Sequence, residues 1–178
     1  MIKQKKTATF PSKQATVLWK ILTNRRLWFR LVILAFCVGI YYLFDWTFLI
    51  RLLRGSVAYV LNKLGHSTLI FNTGSKAYLT VDSKLFMFQP YCTYVDLFLV
   101  LLPFSWRYGK RLKTNILRLM VLACSIWVVN LVRVSLALSF YARGTSWAIA
   151  HTIPYGLFYF MAIAILSLMA IHRDLYNT

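Results

Sequence analysis

The chain has 178 residues and a formal net charge of +17; 60% of its residues are hydrophobic and only 14% are charged. Ordinary globular domains carry about 45–50% apolar and about 25% charged residues. Long apolar stretches alternate with basic clusters here, and all four acidic residues are aspartates. This pattern excludes a soluble enzyme, a disordered tail and a coiled coil. It also argues against nucleic-acid binding, because basic residues that flank apolar stretches are typical of membrane topology.

The apolar stretches predict an all-α polytopic membrane protein with about four transmembrane helices. A single membrane domain at 31–172 is expected to follow a basic N-terminal arm at 1–30 and to precede a short tail at 173–178. A spanning helix needs about 20 mostly apolar residues. On that length the spans are predicted at about 31–50, 91–106, 115–138 and 151–171.

The segment 51–90, between the first two spans, is too polar to cross a membrane. Apolar residues at helical spacing in 51–64 predict a short amphipathic helix that lies in the membrane interface. In 67–89, two runs of strand-forming residues flank the turn signal Asn-Thr-Gly-Ser at 72–75. A small β-hairpin is therefore predicted, with an extension at 85–88.

The basic residues are distributed unequally along the chain. Fourteen of the 21 Lys and Arg residues lie in the arm, in 107–118 and in the tail, whereas six lie in 51–90 and 139–150. The positive-inside rule then predicts a multi-pass protein of the cell (inner) membrane whose two termini and 107–118 segment are cytoplasmic. The segments 51–90 and 139–150 are expected to face outward.

Three side chains with catalytic chemistry fall near the outward ends of the predicted spans. Cys92 starts the second span, Arg133 lies near the end of the third, and His151 starts the fourth. Because successive spans alternate in direction, the three are expected at the same depth. The other two cysteines, Cys37 and Cys124, fall near the middle of apolar spans, where a thiol behaves as a small hydrophobic group.

Each of these side chains also has a purely structural explanation, such as burial at a helix start or extension of an arginine to the headgroups. Asn130, however, lies three residues before Arg133 on the same helical face, which favours a polar cavity. Asp96 is an intramembrane carboxylate that needs a partner, and Arg133 and His151 are the candidates. His66 is the competing outward histidine and lies in a predicted loop.

These groups permit nucleophilic acyl transfer. Cys92 would attack a peptide carbonyl after His151 takes its proton, and Arg133, with the Asn130 amide, would stabilise the oxyanion. Neither a Gly-x-Ser-x-Gly motif, nor paired His or Cys spacing, nor a glycine-rich phosphate loop occurs in the sequence. The prediction is therefore a catalytic thiol that needs no metal and no cofactor.

Three short motifs in this order resemble the exosortase/archaeosortase family: PYCT at 90–93, NLVR at 130–133 and HTIPYG at 151–156. The resemblance covers most of the chain. It implies a membrane cysteine peptidase or transpeptidase in which Cys92 is the nucleophile, Arg133 stabilises the transition state and His151 is the acid/base. Many members carry a small residue and then Gly after the cysteine, whereas this chain has Thr93 and Tyr94.

The resemblance also implies the substrates. These would be exported proteins with a C-terminal sorting signal made of a short motif, a transmembrane helix and a basic tail. Cleavage would remove the tail, and the acyl group would pass to water, to a lipid or to a surface glycan. The alternative is a non-catalytic membrane assembly factor for protein or polysaccharide export, for which Cys92→Ala would be silent.

Overall fold

The computed structural model describes residues 25–176 except Ser75 and Tyr108, without the side chains of residues 26, 165–167 and 169–176. Most of the predicted arm and the side chains of the predicted tail therefore lie outside the described residues. In chain order the elements are α1 (Arg25–Leu43), α2 (Thr47–Lys63), β1 (Thr68–Thr73), β2 (Lys76–Val81), β3 (Lys84–Phe88), a 3₁₀ turn (Pro90–Thr93), α3 (Val95–Ser105), α4 (Leu112–Ala142), a π-turn (Ala148–Thr152) and α5 (Ile153–Tyr176).

The prediction of about four transmembrane helices is wrong. Among the described residues, α4 alone is a single helix long and apolar enough to cross a membrane. Helices α1 and α2 pass the same test only when they are taken together as one span bent by 78°. The 31 residues of α4 measure about 46 Å at 1.5 Å per residue, and they include the predicted span 115–138.

The predicted span 31–50 is broken at Asp45. Its carboxylate accepts hydrogen bonds from the backbone N–H of Thr47 at 2.9 Å and from the Thr47 hydroxyl at 2.5 Å. Short polar side chains that bond to nearby backbone groups compete with the helical hydrogen-bond pattern. The chain consequently leaves α1 at this point and starts α2 in a new direction.

The predicted span 91–106 is too short to cross a membrane as one helix. The span 91–106 is reduced to the 11 residues of α3, about 16 Å, because the left-handed Tyr94 separates this helix from the 3₁₀ turn. Within the predicted span 151–171, the apolar helical stretch whose side chains are described is Ala148–Ala164, with 17 residues, and the backbone of α5 continues to Tyr176. The prediction that both termini are cytoplasmic depended on four alternating spans and loses its basis.

The strands form an antiparallel sheet in the order β1-β2-β3, which confirms the predicted hairpin and its third strand. Between β2 and β3, Asp82 and Ser83 have φ values of 45° and 73°. Two successive positive φ values are typical of a two-residue type I′ turn. The inner face of β2 packs on α2, so the apolar face of α2 meets the sheet and is not exposed to a membrane interface as predicted. The buried residues of this contact are Leu53, Val57, Leu61, Ala77, Leu79 and Val81.

Helix α4 brings distant parts of the chain together. It contacts α2, β2 and α3 as well as both short turns. The 3₁₀ turn carries Cys92, and the π-turn carries His151. Two segments about 60 residues apart in the sequence therefore meet beside the second half of α4.

Candidate functional site

Cys92 and His151 line the same cavity, which has a volume of about 320 Å³ and lies between β3 and the second half of α4. Both side chains are half-buried. The structure thus places two of the three predicted catalytic residues at one opening. The rest of the lining is apolar and aromatic: Leu85, Phe86, Met87, Phe88, Tyr91, Val134, Leu138, Tyr141 and Trp147.

The imidazole of His151 is held between two aromatic rings. It stacks on Trp147 with 4.3 Å between ring centroids, and on Tyr155 with 5.9 Å. Burial, with a smaller effect from the positive charge of Arg133, lowers the pKa of His151 to about 4. The ring is therefore neutral at pH 7 and is able to accept a proton.

The Cys92 thiol is also neutral at pH 7. Burial raises the pKa of Cys92, and this effect exceeds the opposing effects of a Gln89 backbone hydrogen bond and the charge of Arg133. Cys92 does not start an α-helix, since α3 begins at Val95 after a break, so its thiol lacks the lowering of pKa that an α-helix N-terminus would give. Among the described residues no hydrogen bond joins the Cys92 Sγ to His151, although both line the cavity.

Asn130 connects Cys92 to Arg133. This side chain is completely buried, and its Nδ2 donates to the carbonyl oxygen of Cys92 at 2.7 Å. Its Oδ1 accepts from Nε and Nη2 of Arg133 at 3.3 and 3.0 Å. The amide therefore fixes the guanidinium relative to the turn that holds the thiol.

The guanidinium of Arg133 lies against two aromatic rings. Its Cζ lies 4.6 Å from the ring centroid of Tyr94 and 5.0 Å from that of Tyr155. A desolvated cation–π contact contributes about 2 kcal/mol, which is comparable to the roughly 2.5–3.5 kcal/mol that insertion scales assign to an arginine within a span. Within the described part of the chain, the buried Nη1 has no hydrogen-bond partner. Arg133 does not line the cavity of Cys92 and His151, so this N–H group would reach a substrate anion only after the groups that cover it move.

Tyr94 has a strained backbone. Its φ of 57° is left-handed, a conformation that costs an ordinary L-residue about 1–2 kcal/mol. The ring is completely buried and stacks on Phe158 with 5.7 Å between centroids. Strained residues of this kind concentrate at functional sites.

Sequence reasoning missed the aromatic residues that hold the site. Trp147, His151, Tyr155 and Tyr159 stack in succession, and they are four residues apart in the chain. That spacing places side chains on one helical face, so the pattern was a usable signal. Tyr94 had no comparable signal, because a left-handed tyrosine is uncommon.

Asp96 lies apart from both of its expected partners. Among the described residues it forms no salt bridge with Arg133 or His151. Its Oδ1 accepts the backbone N–H of Leu97 at 2.9 Å, and burial raises its pKa. Because Tyr94 interrupts the helix between them, Cys92 and Asp96 do not lie on one face of a continuous helix, although they are four residues apart.

A second polar cluster was not expected from the sequence. His66 Nδ1 lies 2.5 Å from Oδ2 of Asp82, and His66 Nε2 lies 2.8 Å from Oγ of Ser139. The hydrogen bonds thus connect Asp to His and His to Ser, as in a serine-protease triad. However, His66 and Ser139 are only 9% and 5% exposed, and neither lines the cavity of Cys92. The cluster connects the β2–β3 turn and the residues after α2 to α4.

Among residues 25–176, leaving aside the two that are not described, no group of His, Cys, Asp or Glu side chains is arranged to hold a metal ion. No protein-family model, no curated protein and no solved structure matches the chain. Inferences about function therefore depend on the cavity, on the groups around it and on the three short motifs.

Proposed function

We propose that this chain is a membrane-associated cysteine peptidase or transpeptidase, similar to exosortases, that cleaves the C-terminal sorting signal of exported proteins. One observation carries the proposal. A thiol and a neutral imidazole line one cavity, and the half-buried Arg133, whose Nη1 has no hydrogen-bond partner among the described residues, is joined to the cysteine backbone through Asn130. These groups match the nucleophile, the base and the oxyanion stabiliser of acyl transfer.

In the proposed reaction, His151 takes the proton of the Cys92 thiol as the sulfur attacks the scissile carbonyl carbon. The carbonyl oxygen becomes an oxyanion, and the Nη1–H of Arg133 donates to it. His151 then returns the proton to the leaving amine, the C–N bond breaks, and the acyl group remains on Cys92 as a thioester. Water, or a hydroxyl or amine of a lipid or surface-glycan acceptor, attacks the thioester and releases the thiol.

The Cys92 thiol and the His151 imidazole are both neutral before the reaction, and this determines when the proton is transferred. An imidazolium beside Arg133 is unfavourable, which is one cause of the low pKa of His151. The oxyanion that forms on the substrate adds a negative charge next to both cations and offsets this cost. Proton transfer to His151 is therefore expected to accompany the attack on the carbonyl and not to precede it.

The backbone after Cys92 supports the similarity to exosortases. Many members of that family carry Gly at the second position after the cysteine, where this chain has Tyr94. The φ of 57° at Tyr94 is one that glycine adopts without steric cost. The tyrosine keeps a glycine-like backbone, and its ring faces the guanidinium of Arg133.

The charges around α4 support a site near the outer leaflet of the cell membrane. Lys110, Arg111, Lys113 and Arg118 lie near the N-terminal end of α4, whereas only Arg143 follows its C-terminal end. By the positive-inside rule the N-terminal end then faces the cytoplasm. The cavity beside the second half of α4 would lie toward the exterior, where an exported protein arrives.

The test is to co-express the full-length chain with an exported protein that ends in a short motif, a transmembrane helix and a basic tail. Mass spectrometry measures removal of the tail, and hydroxylamine detects the thioester. Cys92→Ala is expected to abolish both signals, while the matched variants Cys37→Ala and Cys124→Ala retain them. Cleavage by Cys92→Ala at the unmodified rate would contradict the proposal and would favour the non-catalytic assembly factor.

A further inference from the structure

Strand β3 is an edge strand whose outer side is unpaired. In the order β1-β2-β3 it pairs with β2 alone, with Phe86 opposite Leu79. Within the described part of the chain, no backbone group of Lys84–Phe88 bonds to any element other than β2. An edge of this kind presents a row of N–H and C=O groups to which another chain can pair, and natural proteins usually cover or disrupt it.

The cavity that Cys92 and His151 line runs along this edge. Four consecutive residues of β3, 85–88, are part of its wall. Successive side chains of a strand point to opposite faces of the sheet, so a cavity above one face would contact alternate residues only. A cavity bordered by four residues in a row lies beside the edge itself.

We propose that the edge of β3 binds the substrate polypeptide as a fourth strand and delivers its scissile carbonyl to Cys92. This inference rests on the proposed function. Strand addition recognises an extended segment through its backbone, while the spaces on either side select its side chains. The segment that ends at the scissile carbonyl would run parallel to β3, because Cys92 lies beyond the C-terminal end of that strand.

The chain geometry after β3 sets where pairing stops. Gln89 is extended, with φ −125° and ψ 165°, and continues the strand direction by one residue. Pro90 has no N–H group and starts the 3₁₀ turn, so no further pairing is available. The last paired residue of the substrate would therefore lie next to the turn that carries Cys92.

The lining favours a segment without charged side chains. Among the residues whose side chains are described, no Lys, Arg, Asp or Glu lines the cavity. The nearby cation of Lys84 is already engaged, because its Nζ donates to the carbonyl oxygen of Tyr141 at 2.6 Å and lies 4.3 Å from that ring. The substrate class is thus an extended, uncharged, largely apolar segment on the acyl side of the cleaved bond.

The test uses the full-length protein in detergent and a peptide of alternating valine and threonine that carries a C-terminal vinyl sulfone. This probe alkylates a thiol, and five further versions each carry one N-methylated backbone amide. Parallel strand addition predicts that methylation at every second position slows alkylation of Cys92 at least fivefold. The intervening positions should change the rate less than twofold. Equal effects at all positions, or none, would overturn the proposal and would favour an acyl chain or another non-peptide occupant.

Two controls distinguish this inference from the proposed function. Iodoacetamide needs no strand pairing, so normal labelling of Cys92 without the alternating pattern would contradict strand addition alone. Hydrogen exchange on Cys92→Ala, with the same peptide lacking its vinyl sulfone, decides the question without the thiol. Amides of β3 should gain protection while those of β1, the opposite edge, stay unchanged. Protection of β1, or of neither strand, would overturn the inference.

Discussion

The molecule contains two clusters in which a histidine from one segment approaches a reactive side chain from another. In the cluster of Asp82, His66 and Ser139, both ring nitrogens have a hydrogen-bond partner and the residues are shielded from the cavity. In the cluster of Cys92 and His151, thiol and imidazole face an open space, and the neighbouring guanidinium keeps an N–H without a partner. A satisfied hydrogen-bond network stabilises a fold, whereas reactive side chains that line a cavity are accessible to a ligand.

Substitution of the two histidines is expected to give the largest difference in activity between the two clusters. His151→Ala is expected to lower kcat/KM for tail cleavage by about 10²–10⁴-fold, because the general base is lost. His66→Ala should keep kcat/KM within a few-fold per folded molecule, since His66 does not line the cavity. Cleavage assays on purified, membrane-extracted protein check both. The opposite ranking would assign the chemistry to Ser139 and contradict the catalytic thiol.

Arg133→Lys should lower kcat by about 10²-fold, the loss typical of removing one oxyanion donor. A lysine cannot bond to Asn130 through two N–H groups, face two rings and still present a further donor in a fixed direction. Arg54→Lys is the matched control, because it alters a buried arginine that binds Phe71 and Asn72 away from the cavity. Equal kcat values for the two variants would argue against a role of Arg133 in the transition state.

Two serines one turn apart on α4 test whether the His66 cluster stabilises the fold. Ser139→Ala removes the partner of His66 Nε2 and should destabilise the protein by about 1–3 kcal/mol. Ser135→Ala should cost little, since the buried Ser135 hydroxyl has no hydrogen-bond partner in the described part of the chain. Denaturant unfolding in detergent measures both. Equal losses would show that the His66 cluster does not contribute in the proposed way.

We expect kcat/KM for tail cleavage to depend very little on pH. With a pKa of about 4, His151 remains an unprotonated base from pH 7 down to pH 5.5. Unperturbed histidine, with a pKa near 6.5, would lose about tenfold in neutral form over this interval. We expect kcat/KM to change less than twofold between these pH values. A tenfold fall would mean that the imidazole is hydrated and that its burial does not set its pKa.

Parts of the fold were predictable because they follow from regular patterns. Alternating strand-forming residues around a turn signal indicated the hairpin, and the apolar stretch at 115–138 indicated the core of α4. Hydropathy could not predict the breaks in the spans, because it does not measure hydrogen bonds from polar side chains to the nearby backbone or the backbone angles of single residues. Asp45 ends α1 through bonds to Thr47, and Tyr94 interrupts the next helix through a left-handed φ.

The reason for expecting Cys92 and His151 to lie together was wrong. Alternating spans were expected to bring Cys92 and His151 to one depth, but three of those spans are not supported. The two residues line one cavity because a 3₁₀ turn and a π-turn both contact α4. Contacts of short irregular turns depend on tertiary packing, and no pattern in the sequence indicated them.

In the proposed membrane location of α4, the length of this helix has a consequence for the surrounding bilayer. A helix of about 46 Å exceeds the hydrocarbon thickness of roughly 30 Å even with the usual tilt of about 20°, so at least one end extends into the headgroup layer or beyond it. The depth of Arg133 is then set by how the bilayer matches this helix. Lipids with longer acyl chains would submerge the guanidinium, and shorter ones would expose it to water. In that location, bilayer thickness would control the hydration of the arginine that the proposed reaction uses.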